Sequence, residues 1–367
     1  MIIIDSALEV LYNRFKLMLQ TRKIDRVRDA EINSLFTDFF EHIPDFDMKK
    51  LEEVWEKCGF CISQPLIKLV KRWNDLATKS HQLDLEIFLT PYKNWLREKL
   101  ALMKSSVAKT TNLKDIFDEE WFQKIDKLIN EYDGDGSFGT DTHTAFIGFI
   151  QENLEGGDLI KRLDEGFGAI TNAIGQQRIR SFRKKMRDVS HPLEDYLGTV
   201  YEINILGPFA LKGQLVEYEP TIGQNHAEGR IKIGNQHMLV EATTVTTGRD
   251  INFLGAINLE DEANRVSRKI LDKAVQLKES KEPVLLFISP HTMTLPQEIK
   301  MGISKAFSQN EPCLICGIIL SDYRGNDFKY VRNPNPSAKQ IPEETWQSLI
   351  KEYNLQEFDL SDPWSET

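Results

Sequence analysis

Apolar residues recur at three- and four-residue intervals through the first 190 residues, a period that predicts one amphipathic helix after another. "DSALEVLYNRFKLMLQ" begins at an Asp/Ser pair suited to an N-cap. The same spacing returns in "EINSLFTDFFEHI", "QPLIKLVKRWNDLA", "EIFLTPYKNWLREKLALM" and "EEWFQKIDKLINEY". No signature residue repeats along these segments, so a tandem array, though open, has no support in them. The polar stretch "KSSVAKTTN" (104–112) reads as a linker inside this half.

Beyond residue 190 the texture changes. A helix in "PLEDYLGTVYEINILGPFALK" leads to a strand in "GQLVEYEP". Two half-buried strands then flank a polar turn in "HAEGRIKIGNQHMLVEATTV". A helix ("DEANRVSRKILDKAVQLKES"), a buried strand ("EPVLLFISP"), a helix ("LPQEIKMGISKAFSQ") and a buried strand ("CLICGIILSDY") follow. This order predicts an α/β domain built on a central mixed sheet, preceded by an all-α domain. The expected boundaries are 1–155 for the helical domain and 156–190 for a basic connecting helix. The α/β domain then takes 191–350, and 351–367 form an acidic, frayed tail.

Composition narrows the function classes. Of 367 residues, 41% are hydrophobic and 28% charged, ordinary values for a globular chain. A net charge of −10 argues against general coating of nucleic acid but leaves room for a local basic surface. "MIIIDSALEV" has no basic n-region, and "CLICGIIL" is too short to span a bilayer, so no membrane association and a cytoplasmic location are expected. The four cysteines form two CxxC pairs, Cys58/Cys61 and Cys313/Cys316. Residues three apart on a strand face opposite sides, so the second pair cannot chelate one ion, and buried thiols are the expected reading. "DGDGSFGTDTH" (133–143) suggests a calcium loop, but Phe138 and Thr144 occupy the positions that need glycine and glutamate.

The hairpin carries the chemistry. Alternation puts Glu241 and Thr243 on one face of "MLVEATTV", with Val240 and Ala242 on the other. Glu228 opens the preceding strand, so pairing would bring Glu228 and Glu241 together at one end of the sheet. Two close carboxylates repel unless a cation lies between them. Mg²⁺, which takes one or two carboxylates plus waters and phosphate oxygens, or Mn²⁺, is the natural partner. A metal held by Glu228 and Glu241 would activate water against a phosphodiester. The plain alternative is a pair of solvated edge-strand charges.

Residues 194–290, within a match extending over roughly 190–325, resemble the core of the PD-(D/E)XK nuclease superfamily. The resemblance implies a restriction-endonuclease-like fold and the following roles. Glu202 would be the helix acid, with Glu194 as its rival, and Glu228 would stand at the "PD" position. Glu241 would be the (D/E)xK acid. The helix carrying Arg265, Lys269, Lys273 and Gln276 is similar to the basic, glutamine-containing helix beside such active sites, and "NPNPSAKQIP" (333–342) echoes the ending of some members. Thr243 stands where the family has lysine. Lys232, Arg230 or Lys273 would then supply the positive charge that orients the attacking water.

"RIRSFRKKMR" places Arg178, Arg180, Arg183, Lys184, Lys185 and Arg187 just before this core, and such a run would bind DNA, or RNA, through phosphate neutralisation. A metal-dependent DNA nuclease in restriction, repair or defence is the expectation, with a protein partner engaged by the helical half and a homodimer also admitted. The rival reading is a degenerate nuclease fold that binds nucleic acid or protein without cutting. A third is an interaction module scaffolded by the α/β domain.

Overall fold

The computed structural model describes residues 67, 71, 85–134, 144–154, 158–175, 182, 185–187, 193–245, 259–290, 296–309, 315–322, 324–335 and 338–361. The chain divides into two compact units, one of Met1–Lys109 with Phe117–Leu159, the other of Thr110–Ile116 with Ile160–Thr367.

The described part of the first unit is helical: α1 (Glu86–Ala108), α2 (Glu119–Glu131) and α3 (Thr144–Leu154). Asp118 caps α2, its side chain accepting from the Trp121 N–H at 3.0 Å, and Trp121, Phe122, Ile125 and Ile129 bury one face at helical spacing. The expected linker at 104–112 is corrected here. Residues 104–108 complete the last turns of α1, because Met103 and Val107 form one buried stripe. The chain after them docks in the second unit. The carboxylate of Asp164 accepts from the N–H groups of Thr111, Asn112 and Leu113 at 3.2, 2.7 and 3.0 Å, and Leu113 and Ile116 are buried.

The second unit opens with α4 (Leu159–Ile174, entering it at Ile160) and α5 (Leu193–Leu211). A Cβ on Gly207 would lie 2.8 Å from the Cα of Gly166, so glycine at both positions is what lets the two backbones approach. From Ile160 on, the described part of the stretch read as a connecting helix belongs to this unit.

Strands β1 (Leu215–Tyr218), β4 (Gly229–Ile233), β5 (Gln236–Val245), β6 (Val284–Pro290), β7 (Ile315–Leu320), β8 (Lys329–Arg332) and β9 (Gln356–Glu357) form one mixed sheet in that spatial order. β5, β6 and β7 run parallel, β1, β4 and β5 antiparallel. A small hairpin of β2 (Thr221–Ile222) and β3 (Asn225–His226) lies between β1 and β4 in the chain. Helices α6 (Leu259–Gln276) and α7 (Pro296–Phe307) connect the parallel strands, and α8 (Glu343–Tyr353) follows β8.

The central strands are apolar on both sides because helices cover both. Leu239, Val245, Leu286 and Ile288 pack with Val266, Ile270, Ile299 and Ile303 of α6 and α7. On the opposite side Phe287 meets Phe209 of α5, and Phe209 meets Tyr353 of α8, at ring distances of 6.1 and 4.7 Å. Each fully buried Ile, Leu or Phe contributes about 1.5–3 kcal/mol. Cys316 is buried on β7, its thiol donating to the Val284 carbonyl at 2.9 Å; Cys58, Cys61 and Cys313 lie outside the described residues, as does 135–143 of the Asp/Gly loop.

The frayed tail is also corrected. β9 pairs with β8, Phe358 enters the core with Ile303 and Phe307 of α7, and its N–H donates to the Tyr330 carbonyl at 2.9 Å. A large apolar side chain directly after an edge strand outweighs the acidic composition around it. No described helix is long and apolar enough to cross a membrane.

Candidate active site

Register brings the two hairpin glutamates together. Gly229 pairs with Val240, so the next cross-strand position sets Glu228 against Glu241. Glu241 is 1% exposed on β5, between the sheet and α6. Lys273, in the last turn of α6, donates to Glu241 Oε1, whereas Glu241 Oε2 is buried without a hydrogen-bond partner. Ile270, Ala274 and Leu277 anchor that face of the helix in the core, which fixes where the lysine stem emerges.

The third carboxylate comes from α5. Glu202 is 3% exposed; Tyr218 of β1 donates to its Oε1 and Lys185 to its Oε2, the latter at 3.3 Å. Lys185 also reaches Glu219 Oε1 at 3.2 Å. Phe182, one turn before Lys185, is held between Phe167 of α4 and Tyr218, at ring distances of 5.4 and 4.8 Å. Glu219 has φ of +48°, although it is not glycine and precedes a proline. Such a backbone costs on the order of 1–3 kcal/mol and persists where surrounding structure over-determines it. Here the Glu219 N–H donates to the Glu228 carbonyl at 2.9 Å, and its carboxylate meets Lys185.

Electrostatics show that these groups feel one another. Burial, then the charge of Glu228, pushes Glu202 up to about 8, against the pull of Lys185 and Tyr218. Burial and Glu228 push Glu241 up to about 7, against Lys273 and the N–H of Glu228. Glu228 is raised as well, by burial first, with Lys185 and Lys273 opposing. Burial works against the charge of Lys185, but Glu202, Glu228 and Glu219 outweigh it and hold its pKa above the usual lysine range. The glutamates titrate as a set rather than singly.

The donor set suits a hard divalent cation. Four carboxylates against two ammonium groups leave an excess of two negative charges when all are ionised. The orphaned Glu241 Oε2 is a buried lone-pair donor of the kind such an ion takes. Among the described residues no three His, Cys, Asp or Glu side chains are spaced around a common ion; Glu202 and Glu219 are held on Lys185 and Glu241 on Lys273. Mg²⁺ needs one or two carboxylates completed by water and phosphate oxygens, which Glu228 and Glu241, set opposite each other by the β4–β5 register, match in donor type.

The other expected residues fall as follows. Thr243 is buried two positions beyond Glu241, on the same face. Lys232 is exposed opposite His237, at the far end of β4 from Glu228. Arg230 is committed to Glu217 and Glu282. Gln276 serves the β2–β3 hairpin: its side-chain amide donates to the His226 carbonyl at 2.8 Å, and its backbone carbonyl accepts from Asn225 at 2.9 Å. Glu228 follows His226 by two residues, so Gln276 positions the strand entry. Arg265 pairs with Glu262, and Lys269 is exposed. Asn333 and Lys339 of "NPNPSAKQIP" tie down the carbonyls of Ile315 and Ser280. Glu194 sits on the first turn of α5, but its side chain, like Arg178, Arg180, Arg183 and Lys184, lies outside the described residues.

Lys185 is the main reassignment. Expected on a phosphate-binding surface, it is an ion partner of Glu202 and Glu219; Arg187, from the same run, is half-buried. A signal for this exists in "SFRKKMR": Phe182 and Met186 are buried at i, i+4 and mark an inward face, which Lys185 at i+3 shares. Tyr218 and Glu219 join the site without any motif in the sequence to mark them. Comparison with protein-family models and with curated proteins returns no match for this chain.

Proposed function

We propose that this protein is a metal-dependent nuclease that hydrolyses DNA phosphodiester bonds. The observation that carries the reading is the meeting of Glu202, Glu228 and Glu241 with Lys273, contributed by α5, the entry to β4, β5 and α6. This order of elements and acids resembles the PD-(D/E)XK core, with a restriction-endonuclease-like sheet. Its lysine, absent where Thr243 stands, is contributed by the following helix instead.

In this reading Glu228 and Glu241 hold Mg²⁺ or Mn²⁺, which when bound supplies Lewis-acid stabilisation of the phosphate and an acidified water. Lys273 puts a fixed positive charge beside Glu241, suited to orienting the attacking water and offsetting charge at the transition state. Tyr218 and Lys185 occupy both oxygens of Glu202 and fix its orientation. Burial excludes bulk water from Glu241 and Glu202 and strengthens each of these interactions. The rest of the basic run, Arg178, Arg180, Arg183, Lys184 and Arg187, would contact the DNA backbone. The helical first unit would engage a protein partner, in a cytoplasmic restriction, repair or defence setting.

The test is incubation of the purified protein with plasmid, linear DNA and RNA in Mg²⁺ or Mn²⁺, beside Glu241→Ala and Lys273→Met. Cleavage of DNA by the wild type, lost in both variants and in chelator, is the expected result. Binding without cleavage, weakening as salt rises, would favour a nuclease fold that has lost its chemistry. Equal nicking by all three proteins would overturn the assignment of this site.

A further inference from the structure

We infer that Lys185 is the resident cation of the carboxylate site, a positioning residue that holds Glu202 and Glu219 and sets how tightly a divalent cation binds beside them. The inference rests on the reading of Glu228 and Glu241 as metal carboxylates.

Three observations carry it. Lys185 Nζ lies 3.3 Å from Glu202 and 3.2 Å from Glu219, so one ammonium bridges two carboxylates from different elements. The bridge is built on fixed supports. Phe182 is buried between Phe167, which meets it edge-on, and Tyr218, which stacks on it, Met186 is buried beside Lys185, and Glu219 holds a left-handed backbone. Finally, the buried, unpartnered Oε2 of Glu241 remains available to a further cation.

The consequence is competition by charge. Lys185 and Lys273 together offset half of the four carboxylates, and a divalent ion at Glu228 and Glu241 would complete the balance. Such an ion also sits in the repulsive field of Lys185. Removing that charge while keeping a hydrogen-bonding side chain therefore tightens metal binding. A residue that merely braced the fold would do the opposite, since the carboxylates would lose their orientation. Arginine keeps the charge and both contacts.

The experiment is calorimetric titration of Mn²⁺ into the full chain, as wild type, Lys185→Gln and Lys185→Arg, with folding followed by circular dichroism. The expected result is a Kd about tenfold lower in Lys185→Gln and near wild type in Lys185→Arg, the scale of a single charge partner at a few ångströms. An unchanged or higher Kd in folded Lys185→Gln overturns the inference. So does Lys185→Arg matching Lys185→Gln. A second measurement needs only the native side chain: the ¹³Cε resonance of Lys185, assigned by its loss in Lys185→Arg, should move on saturation with Mg²⁺, and a resonance that stays in place also overturns the inference. Wild-type protein that takes up no Mn²⁺ would instead sink the metal reading of Glu228 and Glu241.

Discussion

Lys273 donates to Glu241 from the helix that follows it, 32 residues further along the chain, and so places an ammonium beside the acid that Thr243 leaves without one. Glu241 is almost wholly buried, and the lysine is its one hydrogen-bonding side chain among the described residues. The pair is thus both a structural contact and the centre of the proposed chemistry, and the two roles separate experimentally.

Lys273→Met leaves a buried carboxylate without its partner, which costs about 3–5 kcal/mol when a buried pair is broken from one side. Adding Glu241→Gln should recover most of that loss, because the uncompensated charge is gone. Urea denaturation of both single variants and the double variant closes the cycle; strictly additive losses would show that the contact does not couple the residues.

The metal-free protein should gain stability as pH falls from about 8 to about 5. Glu202 and Glu241, raised to about 8 and about 7, hold protons in the fold that the unfolded chain, with carboxyls at about 4.3, has already released. More protons are bound folded than unfolded throughout this window, so stability drops as pH rises through it, by up to about 1.4 kcal/mol per pH unit per proton. Lys185, raised rather than lowered, stays charged across the window and adds nothing to the slope. Thermal melts at stepped pH test the sign, and saturating Mg²⁺ should flatten the curve.

Phe358→Ala should destabilise the second unit by about 3 kcal/mol, the cost of emptying a well-packed aromatic site. The ring belongs to the core cluster with Ile303 and Phe307, and two lysines, Lys300 and Lys329, lie over it at 5.4 and 5.8 Å. Chemical denaturation of this variant beside the wild type distinguishes a docked tail from a frayed one.

If the proposed cleavage is the activity, Gln276→Ala should lower its rate by more than the loss of stability explains. It loosens the β2–β3 hairpin where that hairpin meets α6, and the hairpin ends two residues before Glu228. A loss of about 0.5–1 kcal/mol in denaturation is expected for the one exposed side-chain hydrogen bond that alanine removes. Unchanged kinetics in a folded variant would show that Glu228 needs no such brace.

Elements with a strong hydrophobic period are legible in the sequence itself. Alternation in "MLVEATTV" places Glu241 and Thr243 on one face, and the order of helices and apolar runs after residue 190 predicts the mixed sheet. The failures have a common cause. Lys104–Ala108 looks like a linker in composition, yet Met103 and Val107 continue a helical stripe; the acidic ending hides Phe358. Average polarity over a window loses to one or two large apolar side chains that find a core.

Sequence alone determined the strand alternation that puts Glu241 and Thr243 on one face, because side-chain direction in a ribbon follows position, whereas the β4–β5 register is what sets Glu228 opposite Glu241. It also named Lys273 as one of three candidates to stand in for the missing lysine, without choosing among them. Only tertiary structure separates the three, committing Arg230 to Glu217 and Glu282, leaving Lys232 exposed, and bringing Lys273 onto Glu241. It likewise turned Lys185 from an expected phosphate contact into a partner of Glu202 and Glu219. The physical reason is that a long cationic side chain goes to whichever buried carboxylates packing brings within reach, and that distance is not written in the spacing of residues along the chain.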